Sequence, residues 1–122
     1  MSLRKLSLVL CLTALPLSAW AGKDDAKLAL TAARANVASA ERAEAGRYAT
    51  LELKSAQDLL AQAEGSFDDR DWTDAEREAE RAKADARLAE ARSRQHLAET
   101  QLAEIEETIQ TLREELARQG AH

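Results

Sequence analysis

Apolar residues recur along most of this chain at alternating intervals of three and four, the spacing that places side chains on one face of an α-helix. Leu30, Ala33, Val37 and Ala40 make the first such stripe, in a segment from about Ala26 to Ala45. Leu53, Ala56, Leu60, Ala63 and Phe67 make the second, with Leu59 beside it. The third segment carries two stripes: small residues at Ala75, Ala79, Ala82, Ala86 and Ala89, then large ones at Leu102, Ile105, Ile109, Leu112 and Leu116. Counting back from Leu102 by the same rule gives Ala98, Gln95, Ala91 and Leu88, so the two stripes are offset. That offset predicts a change of packing partner along one helix.

The breaks between stripes carry turn chemistry. Asp24 or Asp25 can cap the first helix with a carboxylate, and Gly46 supplies a stop where positive φ is cheap. Tyr48 lies in the connection that follows, and Thr50 can cap the second helix. The run Phe67-Asp68-Asp69-Arg70-Asp71 ends that helix, because Asp favours turns and caps over helix interior. Thr73-Asp74-Ala75-Glu76 reads as a capping box, Thr73 and Glu76 each satisfying a backbone donor, with Trp72 before it as a staple. No Gly or Pro then occurs until Gly120, which predicts a helix over about 73–118. It would be about 69 Å long, against about 30 Å for each of the first two.

The expected fold is therefore all-α: an Ala-rich antiparallel three-helix bundle over 22–93, with the long third helix extending over 94–118 as a coiled coil. Leu102, Ile105, Ile109, Leu112 and Leu116 form the expected interaction seam. Leu and Ile occur at both core positions, and the flanking Glu106, Thr108, Arg113 and Glu115 select neither helix orientation nor oligomer number. A second copy or another helical envelope protein could occupy it.

The first 21 residues read as an export signal. Arg4 and Lys5 precede an apolar stretch, Leu6 to Leu17, that is shorter than the ~20 residues needed to span a bilayer. Ala19-Trp20-Ala21 is a small-x-small cleavage pattern, so a cut after Ala21 and a periplasmic location are expected. Cys11, the one Cys of the chain, lies in mid-run behind Leu10 rather than in a lipobox, so no lipid anchor is expected. No later segment is apolar enough to span a membrane.

Composition narrows the function classes. Two of the 17 Lys+Arg and none of the 22 Asp+Glu precede Gly22, so the remainder carries a formal charge of −7. It contains 24 Ala but only 15 Leu+Ile+Val+Phe, unlike a β-rich or α/β enzyme core. Without Cys it offers no disulfide, Cys-ligated metal or thiol chemistry. His96 and His122 have no organised acid or nucleophile partner, and Ser93 stands where a di-iron helix would carry Glu. Arg77, Arg81, Lys83 and Arg87 are a basic group, but interleaved Glu and Asp argue against nucleic acid. No catalytic residue, cofactor or metal is expected. Tyr48, Phe67 and Trp72 all flank turns, where they either plug the ends of an Ala-thin bundle or form an exposed aromatic platform.

The segment Ala45-Gly46-Arg47-Tyr48-Ala49-Thr50-Leu51-Glu52-Leu53, with Ala56, Leu60 and Ala63 after it, resembles the bacterial family known as domain of unknown function 4398. Asp71-Trp72-Thr73-Asp74-Ala75, followed by the Ala-rich run to Ala91, is similar to the family's second turn. The resemblance covers about 27–93, with Thr50 where the family usually has Pro. It implies a Gram-negative envelope protein. Members are often lipoproteins, and some are fused to an OmpA-like peptidoglycan-binding domain. Neither a lipobox nor such a domain is recognisable here, so wall binding is not carried over. The family has no assigned catalytic residues. Together these readings point to a non-enzymatic periplasmic scaffold or adaptor. The alternatives are a chaperone-like holdase, or a spacer similar to Ala-rich outer-membrane lipoproteins.

Overall fold

A computed structural model describes residues 17–121, with side chains from Gly22 onward. Arg4, Lys5, Cys11 and His122 lie outside the described residues, as does most of the expected export signal. Four helices pack together: α1 (Leu17–Arg42), α2 (Ala45–Tyr48), α3 (Thr50–Asp68) and α4 (Trp72–Gly120). No strand occurs among the described residues. α4 is the hub, touching α1, α2 and α3.

The expected stripes form the core. Ala26, Ala29, Leu30, Ala33, Val37 and Ala40 are buried from α1, and Leu53, Ala56, Leu59 and Ala63 from α3. Ala75, Ala79, Ala82, Ala86, Ala89 and Ser93 are buried from α4. Leu59, beside the second stripe, is buried along with Leu53, Ala56 and Ala63, and Leu60 is not. Leu60 is half-buried where two core clusters meet, one around Val37, Leu53 and Ala86 and one around Leu30, Leu59 and Ala79. Ala carries little side-chain area, so the core depends on close helix approach, and four larger residues (Leu30, Val37, Leu53 and Leu59) fill the space between.

Polar pairs along the helix edges fix the register. Arg34 Nε donates to Glu64 Oε1 at 2.8 Å, and Gln57 Nε2 to Glu41 Oε1 at 2.9 Å, so numbers rise along α1 as they fall along α3. The same opposition relates α3 to α4, where Ser55 Oγ donates to Asp85 Oδ2 at 2.6 Å and Ser66 Oγ to Glu78 Oε2 at 2.7 Å. These groups are largely solvated, so each contributes at most about 1 kcal/mol and acts more on register than on stability.

The turns depart from the sequence expectations. The α1 backbone is already helical at Leu17, so Asp24 and Asp25 lie inside the helix rather than at its cap. α1 ends at Arg42, and the left-handed residue that follows is Glu44 (φ 61°), while Gly46 lies within the unexpected short helix α2. Thr50 does not cap α3. Ala49 holds the N-cap position, and Thr50 Oγ1 donates back to the Gly46 carbonyl at 3.0 Å. The capping box of Thr73 and Glu76 is also not formed. α4 begins at Trp72 behind Asp71, with no side-chain capping bond. The cause is the preceding turn. Arg70 is left-handed (φ 61°), its N–H bonds to the Phe67 carbonyl at 3.1 Å, and the Asp71 N–H bonds to the Ser66 carbonyl at 2.9 Å. This six-to-one and five-to-two pattern closes α3 and sets the chain directly into α4. Asp71 O then accepts from Ala75 N at 2.9 Å, so Thr73 is already inside the first turn.

Glu44 and Arg70 thus occupy a conformation that side chains with a Cβ resist. Glu44→Gly and Arg70→Gly are each expected to raise stability by about 0.5–1 kcal/mol, read as a higher urea midpoint at unchanged slope.

Candidate interaction surface

The bundle and the free part of α4 meet at a small polar and aromatic knot. Ser93, fully buried, donates its hydroxyl to the Ala43 carbonyl, a group freed by the end of α1. Arg92 pairs with Glu52 across from α3. The half-buried Tyr48 ring lies 5.4 Å from the His96 ring, tilted by 38°, and the Arg47 guanidinium carbon is 5.0 Å from the same ring. Tyr48 therefore braces α2 against α4 at the point where the bundle ends. Leu97 is the last half-buried residue, and from Ala98 to Ala121 every residue is exposed. That free length is about 36 Å of helix.

At the other end, Trp72 is half-buried. Its ring meets Phe67 edge-on at 5.0 Å, the Lys23 ammonium lies 5.8 Å from the ring centre, and its Cβ packs near the Gly22 backbone. It joins the starts of α1 and α4 to the end of α3, which is the plug arrangement, with one side left open. Trp72→Ala is expected to cost about 2 kcal/mol, less than a fully buried aromatic, in a urea melt.

The seam residues are all exposed: Leu102 56 %, Ile105 57 %, Ile109 42 %, Leu112 53 % and Leu116 68 %. Their direction relative to the bundle follows from spacing. Leu102, Ile105 and Ile109 lie sixteen residues beyond the buried Ala86, Ala89 and Ser93. At 3.6 residues per turn, sixteen residues turn a helix face by about 160°. The seam is thus on the side of α4 opposite α1 and α3. Followed back, it passes Ala98, Gln95, Ala91, Leu88 and Ala84, all exposed, with Leu88 at 44 %. The offset between the stripes therefore marks two faces running side by side, not one face changing partner. Sequence reasoning confined the seam to the last third of α4. The signal that extends it, Leu88 in the same register, was present but sits among small and polar neighbours.

Among the described residues no helix is long and apolar enough to cross a membrane. The fold defines an all-helical protein among the described residues, with an exposed apolar row along α4. A family model described as a domain of unknown function (DUF4398) matches residues 28–105, more than half of the chain, and the chain belongs to that family. The match spans the bundle and the start of the seam. No curated protein and no solved structure matches the chain.

Proposed function

We propose that this chain is an exported, non-enzymatic scaffold or adaptor of the Gram-negative cell envelope, acting through helix–helix contacts. In this reading residues 1–21 are removed on export to the periplasm. The three long helices form an antiparallel bundle, and α4 continues as a coiled-coil partner. The observation that carries it is the row of large apolar residues left open along α4, from Leu102 to Leu116. An isolated amphipathic helix of that length is marginal in water, and burying each of its Leu or Ile side chains is worth about 1.5–3 kcal/mol. A protein that keeps such a row open along a rigid arm is built to have it covered.

The test is cross-linking in intact cells followed by capture of the protein. One reproducible helical envelope component, or a second copy, is the expected neighbour, and many unrelated unfolded clients would overturn the scaffold reading in favour of a holdase. Ile105→Asp with Ile109→Asp is expected to abolish capture while leaving the bundle's unfolding free energy in a urea melt within about 0.5 kcal/mol of the parent, because both residues are exposed.

A further inference from the structure

Resting on that scaffold reading, we infer that the occupant of the seam is a second copy of this chain, laid antiparallel so that each free arm covers the outer face of the other copy's bundle. The seam is continuous from Ala84 to Leu116 on the open side of α4, with Leu88, Gln95, Leu102, Ile109 and Leu116 at one core position of the heptad and Ala84, Ala91, Ala98, Ile105 and Leu112 at the other. Large residues dominate its far half and small ones its near half. Antiparallel pairing centred near Thr100 sets Leu116 against Ala84 of the second copy, Leu112 against Leu88, Ile109 against Ala91 and Leu102 against Ala98. In three of these four layers a large side chain faces a small one, which lets the backbones approach closely. The remaining layer, Ile105 against Gln95, places a polar residue where it costs stability and fixes register. The overlap is about 50 Å.

Charge selects this register among the alternatives. It brings Glu115 to Arg87 of the second copy, Glu106 to Arg92 and Arg113 to Asp85, each twice by symmetry. The single like-charge contact is Glu99 against itself at the axis. Sliding one copy by a heptad toward the free ends sets Arg113 against Arg92 and Glu99 against Glu106, and keeps only Glu115 with Arg94. Sliding by two heptads sets Glu106 against itself and keeps only Glu99 with Arg113. A parallel pair in register sets Arg87 against Arg92 and keeps only Arg94 with Glu99. The receiving groups are placed on the bundle edges: Arg87 donates to Asn36 Oδ1 at 3.2 Å, Arg92 pairs with Glu52, and Asp85 accepts from Ser55. A guanidinium has five N–H groups, so each Arg can take a second acceptor without leaving the first. Leu88, 44 % exposed on the outside of a bundle that buries its α4 neighbours Ala86 and Ala89, is then covered.

The experiment uses the full chain with Cys11→Ser, so that no native thiol competes. Leu88→Cys and Leu112→Cys proteins are mixed and oxidised, and a disulfide-linked pair of the two is expected. Ile109→Cys alone, which meets itself only in a parallel pair, is expected to yield less than a tenth as much. In sedimentation at micromolar concentrations, Glu106→Arg with Glu115→Arg should weaken the dimer at least tenfold. Adding Arg87→Glu and Arg92→Glu should restore it to within about threefold, a rescue that damage to the bundle would not give. A monomer at tens of micromolar, with helix content unchanged, overturns the second copy as occupant. Ile109→Cys cross-links without mixed ones overturn the antiparallel register. The scaffold reading fails on a different result, many unrelated unfolded clients among the cross-linked neighbours in the cell.

Discussion

Ala86→Leu is expected to destabilise the protein by about 3 kcal/mol, seen as a lower urea midpoint and a broadened thermal transition. Ala86 is completely buried and clusters with Val37 and Ala40 of α1, Leu53 and Ala56 of α3, and Ala45 of α2. Four helices meet there because no side chain larger than a methyl intervenes on α4. Three added carbons must push α4 off both neighbours or bend into an unfavourable rotamer, and overpacking of this kind costs about 1–3 kcal/mol where the surroundings can yield. The upper end applies here, since the contact is made along stiff helices. Ala103→Leu, exposed on the free part of α4 and outside the seam, is the control and is expected to change stability by no more than about 0.5 kcal/mol.

Leu53→Ala should cost a similar amount, about 3 kcal/mol, for the opposite reason. Leu53 is 6 % exposed and is one of the few large side chains in a core otherwise made of Ala. Removing it takes away three carbons' worth of burial and leaves a cavity that methyl groups fixed on helices cannot fill. Leu→Ala in such sites costs about 2–5 kcal/mol. Leu51→Ala, two positions earlier at 79 % exposure, is expected to be near neutral, and the contrast between the pair measures how much the inner face of α3 carries. If both changes were equally mild, α3 would not be packed on α4 by this face.

Much of the fold was legible because helix periodicity is a local property. Ala33 and Val37, Ala56 and Ala63, and the run from Ala75 to Ala89 are buried as their spacing predicts. The turns were less legible. Gly46, Thr50 and Thr73 are residues that suit stops and caps, yet the left-handed positions fall on Glu44 and Arg70, and the helices begin behind Ala49 and Asp71. Cap preference is worth about 1 kcal/mol, and the geometry needed to bring Leu53 and Ala86, or Phe67 and Trp72, together outweighs it. Leu59 is buried and Leu60 only half-buried for the same reason. A rotation of α3 by part of a turn is decided by its two neighbours together.

Sequence alone determined that the chain is helical, where its four apolar stripes lie, and that the last third carries large side chains the short helices could not cover. Those conclusions need only the rise and period of an α-helix and the length of each segment. Which face of α4 turns inward is not a local property. It depends on how α1 and α3 seat against the Ala stripe from Ala75 to Ser93, and hence on the turns at Glu44 and Arg70. Only the tertiary structure decided that the seam from Leu102 to Leu116 points away from the bundle and continues open past Leu88 to Ala84. The physical reason is that close packing chooses the small residues: three helices approach one another only along the face without bulk, and the face with bulk is left to the solvent or to a partner.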